Sequence, residues 1–301
     1  LFKRSDFKSK AGRFDHKSMW LLGKEGKRQF DELGNDPVHL PVRQSFPDGG
    51  YYILGKDFET QKEIRGIVDC GPLGYLSIAA HCHADALSFV LSIGGEEFLI
   101  DPGTYAYHTK KRWRDYFRGT SAHNTVRIDG LNQSVIGGNF MWLKKAEAYC
   151  SKFKSSEAED LFEGWHDGYK RLKDPVVHLR RIVFKKDSNT FIVTDTLQCK
   201  KRHTAEFYWH FAEHCSVEML QEGCRVVNNG KILRLKSHCN QVQWRLYQGN
   251  KELLLGWVSR QFDVKVPCST VVGRLDLEGK TEIKTEIGIL LSYDQNACEE
   301  F

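Results

Sequence analysis

From about residue 42 onward the apolar positions recur at every second residue. Tyr51-Tyr52-Ile53-Leu54 follows Asp48-Gly49-Gly50 and reads as a short strand. Leu87, Phe89, Leu91 and Ile93 alternate with Ser88, Val90 and Ser92, which predicts a strand with one apolar face. Segments 176–185 and 190–197 flank Asp187-Ser188-Asn189, a hairpin signal. Asn229-Gly230, between Val226-Val227 and Ile232-Leu233, is a stronger one, because Asn-Gly suits a type I′ turn. Further strand-like runs fall at 205–211, 242–247, 253–258 and 283–292. Strands at this spacing, with no long 3.6-period segment between them, predict an all-β chain folded as a large antiparallel β-sandwich. There is no repeat of fixed period and no low-complexity tract.

Residues 1–34 are patterned differently. Ser18-Met19-Trp20-Leu21-Leu22 and Gln29-Phe30-Asp31-Glu32-Leu33 carry short helical patterns in a basic context, and Gly34, Pro37 and Pro41 then break any helix. The expected division is a helical tail and linker over 1–34, too small for a core of its own, and a β-domain over 35–301.

Composition narrows the function. The chain has 301 residues, 41% hydrophobic, so it can bury a large core. Lys plus Arg number 44 against 39 Asp plus Glu, a net charge of +5. That mild bias permits an acidic ligand but is far from the concentrated charge of a nucleic-acid binder. No apolar run approaches the roughly 18 residues of a membrane span. No signal peptide is visible, but the chain starts at Leu1 and is expected to be a fragment, which leaves the compartment open. Nine cysteines form no CxxC pair, and their odd number points to free thiols in a reducing setting.

The chemistry concentrates in residues 80–124. His81 and His83, on an extended segment, would project to one side roughly 7 Å apart, with Cys82 pointing away. With Asp101 and His123 they offer up to four N and O ligands, a set suited to zinc. Taken singly, each histidine also reads as an ordinary structural or solvated side chain. A two-residue hairpin at Gly94-Gly95 would set Asp101 opposite Ser88, about 17 Å along a strand from His83. For both to meet one ion, residues 81–86 must leave the strand and fold back. Arg112, Arg114, Tyr116 and Arg118 share a face if extended, which suits a sulfated or uronate sugar and equally a solvated basic stretch around Trp113 and Phe117. Tyr105 and Tyr107 could line a sugar cleft or be half-buried strand residues. Asp85 could orient a ligating imidazole or cap a turn. His203, His210 and His214 read as structural, with His210, between Trp209 and Phe211, the one to check against the cleft.

The run His81-x-His83-Ala84-Asp85-Ala86-Leu87-Ser88-Phe89, then Ile100-Asp101-Pro102-Gly103-Thr104-Tyr105, resembles the β-sandwich domain of the heparinase II/III-like polysaccharide lyases. So does Trp113-Arg114-x-Tyr116-Phe117-Arg118-x-Thr120-x-Ala122-His123-Asn124-Thr125-Val126, with Asp129-Gly130 and Gln133 after it; softer agreement runs through Asp167-Gly168-Tyr169 and His178. The resemblance implies an N-terminal (α/α) toroid ahead of the sandwich and cleavage of acidic polysaccharides by β-elimination in the cleft between them. It assigns His83, Asp101 and His123 to one mainly structural zinc ion and His81 to catalysis; Tyr105, Arg114, Tyr116 and Arg118, from the reading of the residues themselves, are the side chains expected to meet substrate. In that family the toroid supplies an Asn or His that neutralises the uronate carboxylate and a Tyr that moves protons. Residues 1–34 resemble only the last turns of such a domain, so the chain is expected to hold half an active site and to be inactive alone.

The expected partners are an acidic polysaccharide, the toroid of the same parent chain and, in a homodimer, a second copy; nucleic acid is not among them. The resemblance implies a periplasmic or secreted protein, against which the odd cysteine count points the other way. Two other readings compete: a non-catalytic, metal-stabilised carbohydrate-binding module, and a metallo-β-lactamase-type hydrolase suggested by His-x-His-x-Asp. Ala86 stands where the latter needs a histidine, and its helices are not visible.

Overall fold

Asn229 and Gly230 both take positive φ, 45° and 74°, and close the turn between strands Gly223–Asn228 and Lys231–Ser237, paired from Asn228↔Lys231 inward. That is the backbone a type I′ turn requires, and Asn and Gly tolerate it at least cost. The computed structural model describes residues 4–34, 42–74 and 77–291.

The largest sheet has eight strands. Their order is Ser216–Leu220, Gly223–Asn228, Lys231–Ser237, Lys280–Leu290, Thr190–Gln198, Val177–Lys185, Glu159–His166 and Ala148–Ser155. A five-stranded sheet runs Ser45–Phe46, Tyr51–Lys56, Ile64–Asp69, Phe89–Ile93, Glu96–Leu99, and a four-stranded one runs Gln243–Gln248, Ser269–Leu277, His203–His210, Val126–Ile128. The two smaller sheets meet at the bridge Leu99↔Phe211, reinforced by Ile100 N–H donating to the His210 carbonyl at 2.9 Å. Together they form the second layer of the sandwich. Phe89, Leu91 and Ile93 pack with Phe184, Phe191, Val193 and Ile287 of the large sheet in the main core, and Val126, Phe207 and Leu275 pack with Leu197 and Ile283 in a second. All the strand pairs are antiparallel, and the all-β sandwich expected from the alternation is the fold observed.

The local differences have physical causes. Run 253–258 is not one strand: Leu254 turns with φ 57°, and the strand is Trp257–Gln261. Likewise Leu87 has φ 62°, so its strand starts at Phe89. Strands Ile64–Asp69 and Ser269–Leu277 escaped the periodicity because glycines interrupt it. A Cβ at Gly66 would lie 2.6 Å from the Phe89 ring and one at Gly273 2.7 Å from the Trp244 ring, so each glycine makes room for an aromatic neighbour.

The chain divides into compact units Leu1–Arg43 and Gln44–Phe301. In the first, helices Ser5–Ala11 and His16–Glu32 bury no residue; Asp15 caps the second by accepting from Ser18 N–H at 2.8 Å, and Gly23 kinks it. The expected boundary after residue 34 abuts residues 35–41, outside the described residues. No helix among the described residues is long and apolar enough to cross a membrane. Cys70, Cys199, Cys215, Cys224 and Cys268 are free and buried. Burial pushes the Cys70, Cys215, Cys224 and Cys268 thiols up to about 12.

Candidate functional site

The outer surface of the four-stranded sheet carries Tyr208 and Val272, which point away from the sandwich core. Onto them fold Tyr105, Ala106, Tyr116, Phe117 and Trp257. Helix Lys111–Phe117 lies in this cluster, so residues 111–117 are not extended as the sequence reading supposed. Helical spacing separates Arg112 from the other two arginines: it reaches the Glu252 carbonyl at the surface, whereas Arg114 and Arg118, one turn apart, point inward and are fully buried.

Residues 81–86 do leave the strand and fold back. Leu87 N–H donates to the Asp69 carbonyl at 2.7 Å and Ser88 N–H to the Asp85 carbonyl at 2.8 Å, while Ala84 N–H donates to the Arg118 carbonyl at 2.8 Å. This brings His83, Asp101 and His123 together, with one N or O atom of each within 4.8 Å of the others. The His83 and His123 rings lie 5.1 Å apart, and His123 Nδ1 is 2.6 Å from Asp101 Oδ2. Asn124 fixes the base of the site: its amide donates to the Phe89 and Ile100 carbonyls and accepts from His210 N–H.

The electrostatics suit a cation. Burial, then the charge of His123 and the nearby Arg114 and Arg118, drives the His83 imidazole down to about 3, so it is neutral with a lone pair to give. His123 is also buried, which disfavours its charge, but the Asp101 carboxylate outweighs this and raises its pKa. Desolvation is the largest single influence on Asp101 and pushes it up, but the His123 charge and hydrogen bond, with the Gly103 N–H, together outweigh it, and the carboxyl is held well below the usual range. Half-buried Asp85 is pushed up to about 7, chiefly by burial, with His123 opposing.

The fit to a metal ion can be judged from the donors. Two ligands of one zinc ion lie at most about 4 Å apart, so the set closes with shifts of under about an ångström. His123 Nε2 is buried with no protein partner. Two imidazole nitrogens and a carboxylate oxygen, one imidazole held neutral, make a donor set that fits zinc. Asp174, Cys199 and His203 also cluster, but both His203 nitrogens are committed, to Asp129 at 2.6 Å and Asp174 at 3.1 Å.

His81 stands apart from the triad. It is exposed, and its ring meets Tyr107 and Phe140 edge-on at 5.3 and 5.9 Å. Arg114 donates to the Ala80 carbonyl at 3.4 Å just before it, and Arg114 and Arg118 both hold the Asn139 carbonyl. His81 and His83 line one open depression of about 750 Å³ with Tyr51, Asp69, Cys82 and Asp85. Of the side chains expected to meet substrate, Arg114, Arg118, Tyr105 and Tyr116 are all buried, and Tyr105 accepts from Lys110 at 2.9 Å. Tyr107 and Tyr51 are the phenols at the depression and its aromatic rim, and Tyr51, raised to about 12 first by Asp69 and then by burial, keeps its proton. Nothing in its sequence context marks Tyr51.

A buried network that no local sequence signal marks lies behind the triad. Arg180 grips Asp195 through Nε at 2.7 Å and Nη2 at 3.0 Å, and its Nη1 donates to the Leu87 and Asn124 carbonyls at 2.8 and 2.6 Å. His178 Nε2 lies 2.8 Å from Asp195, and His166 lies 3.1 Å behind His178. The network therefore pins the two segments from which His83 and His123 emerge.

The same residues carry the relationship to known proteins. The fold is that of solved structures named heparan sulfate lyase HepC from Pedobacter heparinus (TM-score 0.69, 16% identity, 95% of this chain and 42% of that one) and Heparinase III (TM-score 0.66, 19% identity, 81% and 35%). A further heparinase III gene product aligns with TM-score 0.67 at 15% identity over 96% of this chain. The chain spans about 42% of the length of the first of these relatives. No curated protein matches the sequence. The family profile described as Heparinase II/III-like, C-terminal, matches residues 39–286, a span that holds most of the sandwich core, the His83–Asp101–His123 triad and the Arg180 network alike. By that match the chain belongs to the Heparinase II/III-like, C-terminal family.

Proposed function

We propose that this chain is the β-sandwich part of a lyase that cleaves uronate-containing polysaccharides by β-elimination, with a zinc ion held by His83, Asp101 and His123. The observation that carries the reading is the split between two neighbouring histidines: His83 sits in the triad, while His81 is exposed beside Tyr107 at the depression. A bound zinc ion supplies cross-linking of residues 83, 101 and 123, and so stability, since metal binding to the folded state adds by mass action. His81 acts on substrate, carrying a proton or stabilising the negative charge that builds up when the proton α to the uronate carboxylate leaves. Arg114 and Arg118 contribute indirectly, by holding the loops that frame His81. The remaining donors are assigned to a helical toroid domain of the parent chain, so the isolated chain is inactive.

The experiment is a pair of substitutions in the full-length parent, with activity read as the absorbance of unsaturated uronate. His81→Ala lowers kcat by about 10²–10⁴-fold and leaves zinc content and melting temperature in place. His83→Ala loses zinc and stability together. If His81→Ala loses zinc yet keeps activity in the folded fraction, the two roles are reversed and the proposal fails. Turnover of a uronate polymer by the isolated chain removes the toroid requirement.

A further inference from the structure

Away from the triad, the outer face of the four-stranded sheet carries a row of charge set by strand register. Arg127 pairs opposite Glu206, Glu206 opposite Arg274, and Arg274 opposite Gln243, so the four residues cross the sheet side by side. Two residues along, Tyr208 faces Val272 and Val272 faces Arg245. Arg274 and Arg245 are thus diagonal neighbours on adjacent strands, about 7–8 Å apart at the backbone, within reach of one anionic group.

The charges on this face do not cancel. Arg127 binds Glu206 Oε2 through Nε at 2.8 Å and Nη2 at 2.7 Å, and the Tyr208 hydroxyl donates to the same oxygen at 3.1 Å. The charge of the one carboxylate in the row is thereby matched by Arg127. Arg245 and Arg274 are exposed; Asp276, two residues from Arg274 on the same strand, feels its charge but is held by Arg202 at 2.7 Å and by the Thr204 hydroxyl at 2.7 Å. Between them lies a depression of about 500 Å³, lined also by the Arg127-paired Glu206, to which Gln243 and Tyr247 add neutral polar groups; it shares Gln243 and Arg274 with a second one of about 710 Å³, lined also by the Arg202-paired Asp276. Two adjoining hollows along a cationic row suit a chain of anionic groups better than one isolated ion.

We propose that this face is a second binding site, for the sulfate or carboxylate groups of an anionic polysaccharide, with Arg245 and Arg274 as its principal contacts. Planar guanidinium groups bind such oxyanions bidentately, and Gln243 and Tyr247 supply hydrogen bonds to hydroxyls of the sugar. The site holds polymer on the domain apart from His81 and the triad. This inference rests on the acidic-polysaccharide reading above.

Calorimetric titration of this chain with a sulfated, uronate-containing hexasaccharide at physiological salt tests it. The paired substitution Arg245→Ala and Arg274→Ala weakens binding roughly tenfold, as the loss of two exposed charge contacts implies. A control pair removing the same charge from the large sheet, Lys152→Ala and Arg181→Ala, leaves affinity within about twofold. Both arginines are exposed, so the folded state survives the change, and an unchanged melting curve verifies this. Equal weakening by both pairs, or none from the Arg245/Arg274 pair, overturns the site and leaves the lyase reading intact. No binding by the unsubstituted chain also overturns the site, while turnover by the full-length parent tests the polysaccharide reading separately. Inorganic sulfate competing as well as the hexasaccharide at equal charge, or a single-stranded oligonucleotide binding more tightly, also overturns the assignment.

Discussion

Replacing Arg180 by methionine is the most demanding test of how the site is held. The guanidinium is 1% exposed and satisfies Asp195, itself 1% exposed, together with the Leu87 and Asn124 carbonyls. Methionine fills much of the volume and removes every one of these bonds. Breaking one side of a buried ion pair costs about 3–5 kcal/mol, because the remaining charge stays buried with less to balance it. Two orphaned carbonyls add about 1 kcal/mol each. The total, about 5 kcal/mol or more, matches the whole stability of many domains, which is about 5–15 kcal/mol. Urea unfolding followed by fluorescence should therefore show Arg180→Met at the edge of folding. Its zinc content should fall too, since Leu87 and Asn124 lie beside the triad. The double variant Arg180→Met/Asp195→Leu removes both charges and should recover at least about 2 kcal/mol of the loss. A loss under about 1.5 kcal/mol in the single variant, or a double variant weaker than the single, refutes the reasoning.

Two further outcomes are expected. His203 lies between Asp129 and Asp174; burial opposes its charge, but the two carboxylates win and raise its pKa above the unfolded value. Its contribution is then fully present below about pH 6.5 and lost as pH rises through the folded value. Melting temperature should decline from pH 6 to pH 9 more steeply in the wild type than in His203→Gln, and parallel profiles would remove the role. Gly74 has φ +63°, and a Cβ there would lie 2.0 Å from Cys82 Sγ. Gly74→Ala should cost about 1–3 kcal/mol and displace the loop carrying His81 and His83; Gly74→Ala/Cys82→Ala should recover part of this, and an unperturbed single variant would refute the clash.

Much of the architecture was legible because a sheet with one buried face imposes a period of two on its sequence. The Asn229-Gly230 turn and the triad were readable for similar reasons: special backbone and ligand chemistry narrow the residue choice. The fold-back of 81–86 followed from the geometry the triad demanded, and the left-handed Leu87 supplies it. Helix Lys111–Phe117 was not legible. Arg112, Trp113 and Arg114 alternate like a strand, and the helix is stabilised by packing Tyr116 and Phe117 onto the four-stranded sheet, which local pattern does not record. The Arg180–Asp195 pair was readable in principle, since a hairpin closing at Lys185↔Thr190 sets Arg180 opposite Asp195. Their placement on the buried face, in the company of His178, is what gave no sign.

The buried thiols make the domain its own unfolding gauge. Alkylating reagents attack thiolate, and at pH 8 a thiol of pKa about 12 is ionised only about once in 10⁴. Reagent must therefore wait for the surrounding strands to part, so the rate of labelling counts openings rather than collisions. Cys70 follows strand Ile64–Asp69 of the five-stranded sheet, Cys224 lies within the eight-stranded one, and Cys268 precedes Ser269–Leu277 of the four-stranded one. Peptide-resolved labelling would hence time each sheet separately. If the bridge Leu99↔Phe211 couples the two smaller sheets, Cys70 and Cys268 should become reactive in step, with Cys224 keeping its own clock.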